Sequence, residues 1–310
     1  MAALALASLV LIPVAARSAC SPARPNFDAP LALILSGGGA KGAYEAGVAT
    51  ALLERGVPIR LVAGSSAGAL NAAMLADGRL ERLENVWRTI ARDQVYALRP
   101  SVFFAGLLPG WLTLLTLDRA GSLFDHRPLR ELIAGTIDLQ RVRGSPLRLL
   151  VVTADLARRE KRLFDNANLT VDTLMAATAM PGAFAPVEVG SDLLVDGGLT
   201  GRAPVLEALE NGVPVERALV VMSYSPDEQG RRPTTMRLAL EEAFEMAMVH
   251  QIRRDTELAR LKFPAVDIQL LTPSTSLDLR PLDFEPTGIA RALDVGRRDG
   301  ADCVRSWGSR

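Results

Sequence analysis

The sequence predicts an α/β domain built on a largely parallel sheet with helices covering both faces, and three observations carry that prediction. Short continuous apolar runs alternate with helical stretches along the chain. Two of those runs end in turns of small residues that open directly into a helix. Of the 310 residues, 49% are hydrophobic, which is enough to cover a buried sheet on two sides.

Taken in order, residues 31–35 form an apolar strand that stops at Ser36 and three glycines, and 43–55 then carry helical character as far as Gly56. Residues 59–63 are a second strand, ending in Gly64-Ser65-Ser66-Ala67-Gly68. Residues 69–91 are expected to be helical, with one weak point at Asp77-Gly78. A clear buried strand follows at 147–153, with 162–164 as its partner, then a helix at 171–179 stopped by Pro181-Gly182. Residues 193–195 lead into Asp196-Gly197-Gly198, and 203–210 are a helix with Pro204 near its first turn. A strand at 218–223, a long helix over 234–261, a last strand at 265–271 and a helix from about Thr287 complete the chain.

Charge and cysteine content narrow the function. The 35 basic and 35 acidic side chains balance, so no electrostatic footprint for nucleic acid is present. The longest basic cluster, Arg158, Arg159, Lys161 and Arg162, is short and reads as a solvated turn between strands. Two cysteines do not make a disulfide framework, and two histidines do not suggest a metal centre; no metal or cofactor is expected. Residues 2–16 are apolar but shorter than the roughly twenty needed to span a bilayer. They resemble the core of an export signal that lacks its basic leader, and Cys20 after Ser18-Ala19 resembles a lipoprotein processing site. Residues 1–30 therefore read as a signal-like segment and linker of an exported or envelope-associated protein, with a cytoplasmic location as the alternative. Residues 31–310 read as one catalytic domain. Within it, the apolar stretch 102–117 is broken by Pro109-Gly110 and reads either as a buried cap or as a lid whose Phe103, Phe104 and Trp111 lean into a lipid surface.

Three sites lie at the ends of expected strands, where open α/β sheets carry their ligands. Gly37-Gly38-Gly39-Ala40-Lys41-Gly42 fits a dinucleotide loop by its glycines, but the next strand ends without the acidic residue that holds the ribose. What the glycines do supply is a nest of backbone amides at a helix N-terminus, suited to an anion or an oxyanion. Gly64-Ser65-Ser66-Ala67-Gly68 has the form of a nucleophile elbow that raises the Ser66 hydroxyl above the sheet. A serine needs a base. His250 lies inside a helical pattern and His126 falls too early in the chain order, which leaves Asp196 as the expected proton acceptor, in a site dry enough to raise its pKa.

A glycine-rich loop, an elbow serine and a D-G-G aspartate in this order resemble the patatin-like phospholipases. So does Ala176-Ala177-Thr178-Ala179-Met180-Pro181-Gly182-Ala183-Phe184-Ala185-Pro186, which leads toward the aspartate. The resemblance implies a three-layer α/β/α sandwich, a Ser66–Asp196 dyad, and an oxyanion hole from the amides of Gly37, Gly38 and Gly39. It implies hydrolysis of lipid acyl esters without a metal. Lys41, where the family often has Arg, is expected to support the loop or contact an interface, and Gly42, Gly64, Gly68, Gly197 and Gly198 to shape the turns. The expected partner is a lipid or ester substrate, with membrane-surface contact and no nucleic acid. A non-catalytic lipid-binding protein on the same fold and a nucleotide-dependent oxidoreductase are the alternatives.

Overall fold

β1 (Leu31–Leu35) is buried at all five positions, as a central strand between two helical layers must be. Its side chains alternate: Leu31, Leu33 and Leu35 enter one core, Ala32 and Ile34 the other. The computed structural model describes residues 20, 26–105, 112, 113, 116, 119, 121–225 and 232–308. After β1 come α1 (Gly42–Glu54), β2 (Ile59–Gly64), α2 (Ala67–Asp77) and α3 (Leu80–Thr89). The single helix expected over 69–91 is thus two, because Gly78 closes α2 in the left-handed conformation at φ 80°. Short pieces follow: α4 (Arg92–Val95), β3 (Ala97–Leu98), α5 (Pro100–Ala105), β4 (Phe124–Asp125), α6 (Arg127–Thr136) and α7 (Leu139–Arg143). β5 (Arg148–Asp155), β6 (Glu160–Asp165), α8 (Val171–Ala177), β7 (Val187–Val189) and β8 (Asp192–Asp196) form the middle of the chain. α9 (Val205–Glu210), β9 (Arg217–Val221), α10 (Met236–Lys262), β10 (Asp267–Leu271) and α11 (Pro286–Ser306) complete it.

The main sheet runs β10-β9-β1-β2-β5-β8-β7, with β6 also paired to β5. The pairs from β10 to β5 are parallel, while β6 and β8 run antiparallel to β5, and β7 to β8. One core joins the sheet to α1, α2, α3, α6, α8 and α11, and the other to α9 and α10. This is the expected three-layer α/β/α arrangement around a mainly parallel sheet. The basic cluster is the β5–β6 turn, where Arg158 pairs with Asp155 (2.7 Å) and Arg162 with Asp192 (2.6 Å).

The N-terminal approach is fixed from two sides. Buried Arg217 donates to the carbonyls of Phe27 (3.0 Å) and Ala29 (2.9 Å) and lies over the Trp307 ring. Cys20 is bonded to Cys303 on α11, with Cα atoms 5.1 Å apart, inside the normal span of a disulfide. The sequence reading did not foresee this pair, which is separated by 283 residues. That bond engages the same sulfur on which the lipoprotein expectation for Cys20 rests. Residues 1–19 lie outside the described residues. Reducing the bridge is expected to cost about 2–4 kcal/mol of stability. The check is a fall in Tm on adding a thiol reductant, absent in Cys303→Ser; an unchanged wild-type Tm would show that the bridge does not hold the fold.

Candidate active site

Ser66 sits between β2 and α2 at φ 56°, ψ −135°. A non-glycine residue in that region is strained and persists only where its surroundings hold it. The Ser66 amide donates to the Ala177 carbonyl (3.1 Å), its carbonyl accepts from the Ala69 amide (2.9 Å), and the Ser65 amide donates to Leu35 (3.3 Å). A Cβ on Gly64 would collide with the Gly68 carbonyl, so the turn closes only with glycine there. The Ser65 hydroxyl is buried without a partner among the described residues.

β5 brings the aspartate to this serine. β6 occupies one edge of β5 along Leu150–Asp155. The other edge is shared: β2 pairs as far as Gly64↔Val151, and β8 begins at Asp196↔Thr153. The ends of β2 and β8 therefore meet head to head, about two strand residues or ~7 Å apart. The Asp196 amide donates to the Ala179 carbonyl (3.0 Å), so the stretch after α8 ties down both backbones. Asp196 stands near enough to Ser66 for the serine hydroxyl to favour its ionised form. The Gly198 amide donates to Asp196 Oδ1 (2.8 Å), which is the part the Gly197-Gly198 turn plays.

Gly37, Gly38 and Gly39 take φ of 73°, 130° and 60°, open only to glycine as a run. Their amides are not equivalent. The Gly37 amide donates to Glu45 Oε1 at 2.7 Å. The single N–H of Gly37, expected among the oxyanion donors, is therefore engaged by a strong acceptor in this structure. The Ala40 amide donates to Pro281 (2.8 Å) and the Lys41 amide to Gly38 (3.2 Å), whereas those of Gly38 and Gly39 find no acceptor among the described residues. Lys41 itself is buried, with Nζ over the Tyr224 ring and 3.4 Å from Glu245. Gly42 starts α1; its carbonyl accepts from Asn71 (2.9 Å).

Buried charge surrounds the pair. Burial pushes the Asp196 carboxyl up from the ordinary range, opposed by Arg202, the Gly198 amide and the Ser66 hydroxyl. Arg202 Nη1 lies 3.9 Å from Asp196 Oδ1, and its charge opposes the rise that burial gives the Tyr224 hydroxyl. Glu45 is fully buried, and desolvation raises its carboxyl to about 7 against the Gly37 amide, Ser36, Arg202 and Ser223. Sequence reasoning missed both Glu45 and Arg202. The available signal for Glu45 was its place in a stretch, GAYEAGVATALL, that offers no polar face for a carboxylate.

A cavity of about 90 Å³ is lined by Gly39, by Ala67, which follows Ser66 in the chain, and by Leu70, Met74, Trp87, Leu132, Ile133 and Phe284. Its one interior amide, Asn71, is satisfied by the Gly42 carbonyl and by Trp87 Nε1 (2.7 Å), which leaves the slot apolar. The histidines stand elsewhere: His126 precedes α6 and stacks on Phe184, and His250 is exposed on α10. Phe103 and Phe104 are exposed at the end of α5, with Ala105 buried beside them. Residues 106–111, 114, 115 and 117 of the expected lid, including Trp111, lie outside the described residues.

The model of the family described as "Patatin-like phospholipase" matches residues 33–209, more than half of the chain. The chain belongs to the patatin-like phospholipase family. It is 32% identical over 183 residues to an uncharacterized NTE family protein of Mycobacterium tuberculosis, covering 59% of this chain and 46% of that one. A patatin-like phospholipase domain-containing protein of Caenorhabditis elegans is 27% identical over 177 residues, covering 56% of this chain and 12% of the relative. The chain thus spans less than half the length of these curated relatives. Among solved structures, VipD from Legionella pneumophila aligns over 94% of this chain and 70% of its own, with TM-score 0.47 and 17% identity.

Proposed function

We propose that this chain is a serine lipid acyl hydrolase of the phospholipase A or esterase type, working through a Ser66–Asp196 dyad. The observation that carries this reading is the meeting of the β2 and β8 ends on one edge of β5, which sets Ser66 beside a buried carboxylate whose pKa is raised. Family membership, two glycine amides without an acceptor among the described residues, and an apolar slot lined by Ala67, the residue after Ser66, support it. Ser66 Oγ attacks the ester carbonyl and its proton passes to Asp196 Oδ. The carbonyl oxygen, now negative, is held by the Gly38 and Gly39 amides, a donor of this kind being worth about 3–4 kcal/mol. The C–O bond to the alcohol breaks and the alcohol leaves with the proton from Asp196. Water then attacks the acyl-enzyme, gives its proton to Asp196, and the acid departs as Ser66 recovers that proton.

Asp196 must be ionised to begin this cycle, so hydrolysis is expected to rise with pH through a carboxyl pKa above the ordinary range. The acyl chain occupies the slot beyond Ala67. Filling it with Leu132→Trp is expected to lower kcat/KM for long-chain esters roughly 10-fold or more relative to butyryl esters, the worth of a few displaced methylenes. An unchanged chain-length profile would show that the acyl group lies elsewhere. Exposed Phe103 and Phe104 suit contact with a lipid surface, and the Cys20–Cys303 bridge suits an oxidising compartment outside the cytosol. The reading as a whole is tested by hydrolysis of a panel of phospholipids, glycerides and simple esters, beside Ser66→Ala. Activity surviving in that variant would defeat it.

A further inference from the structure

A carboxylate buried away from any metal-ligating cluster among the described residues demands an account, since isolating a charge from water is costly unless its neighbours use it. Glu45 projects from the first turn of α1 into the space beneath the glycine loop, with no exposed surface. Its Oε1 gathers the Gly37 amide (2.7 Å), the Ser36 hydroxyl (3.0 Å) and the Ser223 hydroxyl (3.1 Å). Its Oε2 is buried and has no partner among the described residues. Ser223 stands within reach of two acceptors, Glu45 Oε1 and the Gly37 carbonyl (2.8 Å), and has one proton to give. Both ends of the Gly37 unit are therefore held from below by one carboxylate–hydroxyl arrangement, on the loop that presents Gly38 and Gly39.

We infer that Glu45 is a positioning residue of the oxyanion cup, holding the glycine loop in donor geometry when ionised and loosening it when a proton adds at Oε2. The inference rests on reading Gly38 and Gly39 as the oxyanion donors. A charged acceptor makes the Gly37 bond about twice as strong as a neutral one. With the charge gone, the Ser223 proton turns to the Gly37 carbonyl, and that amide keeps only a weak acceptor. Burial raises the Glu45 carboxyl to about 7, so the change falls where an enzyme works. The charged or titratable groups facing Glu45 are Arg202 from the segment after β8, Tyr224 after β9, and Tyr44 on its own helix, the last held by Asp299 of α11 (3.1 Å). Of these Arg202 carries the positive charge that favours the ionised form.

The test is a pH titration of the full chain followed by ¹H–¹⁵N NMR at the Gly37 amide, from about pH 5 to about 9, paired with the pH profile of ester hydrolysis. In wild type the Gly37 resonance is expected to move with a midpoint near 7, as the Glu45 carboxyl does. In Glu45→Gln it is expected to stay put, with kcat about 10-fold lower at alkaline pH and KM within about twofold, the mark of an interaction made in the transition state. Ser223→Ala removes a donor to the charged form, so its midpoint is expected to move upward from the wild-type value; this second variant decides the matter if Glu45→Gln folds poorly. A flat Gly37 resonance in wild type, a midpoint retained in Glu45→Gln, or an unaltered kcat profile in that variant overturns the inference. Hydrolysis that persists in Ser66→Ala overturns the dyad instead, and the Gly37 titration still decides whether Glu45 holds the loop.

Discussion

Replacing Ser66 with Ala is expected to lower kcat for a fatty-acyl ester by about 10,000-fold or more, leaving only what binding and the amide cup supply. Asp196→Asn is expected to cost a similar factor, and the double variant little beyond either single one, because the two groups act as one unit. The structural reason is the shared edge of β5, which sets the ends of β2 and β8 against each other and brings Ser66 beside Asp196. Stability is expected to respond in the opposite sense. Asp196 binds its proton more tightly folded than unfolded, so its ionisation lowers folding stability as pH rises from the ordinary carboxylate range through its raised folded value. The neutral amide of Asn removes that cost and keeps an oxygen for the Gly198 amide (2.8 Å). Asp196→Asn should therefore melt no lower than wild type at neutral pH, by calorimetry, while its turnover collapses. A variant that lost activity only by unfolding would not support the dyad.

The second large effect concerns α1 and α11, which cross on glycine. A Cβ at Gly296 would be driven into the backbone of Tyr44, and one at Gly47 into the Leu293 carbonyl. Backbone cannot yield as a flexible side chain does, so Gly296→Val is expected to cost at least about 1–3 kcal/mol and to lower Tm by several degrees. Activity should fall as well in the protein that remains folded. The α1 helix carries Glu45 in its first turn, directly after the loop of Gly38 and Gly39, and a displaced α1 moves both. Gly135→Ala provides the contrast. That glycine is exposed near the end of α6 with nothing around it, and alanine there is expected to stabilise by up to about 0.5–1 kcal/mol. Equal Tm values for the two variants would mean that the helix crossing is looser than its geometry indicates.

The parts of the molecule legible in the sequence are those written in adjacent residues. β1, α1 and β2 follow from apolar runs punctuated by glycine, and the elbow at Ser66 and the turn after Asp196 are short motifs beside strands. The pairing that joins them is not local. It depends on β5 lending one edge to two strands, and nothing in either partner announces that register. The apolar slot escaped for the same reason, being assembled from α2, α3, α6 and the segment before α11. Glu45 and Arg202 read as ordinary polar residues because burial, not identity, gives them their role. The engagement of the Gly37 amide escaped for a related cause: which amide is free depends on where a carboxylate eight residues later folds back. Cys20 and Cys303, at opposite ends of the chain, could be matched only in three dimensions.

The measurement that bears most directly on the serine at the centre of the site is reaction with a fluorophosphonate, followed by peptide mass mapping. One adduct is expected, on the peptide containing Ser66, formed by wild type, absent from Ser66→Ala and slowed about 1,000-fold or more in Asp196→Asn. An adduct on Ser65 or another serine, or none on folded protein, would contradict it.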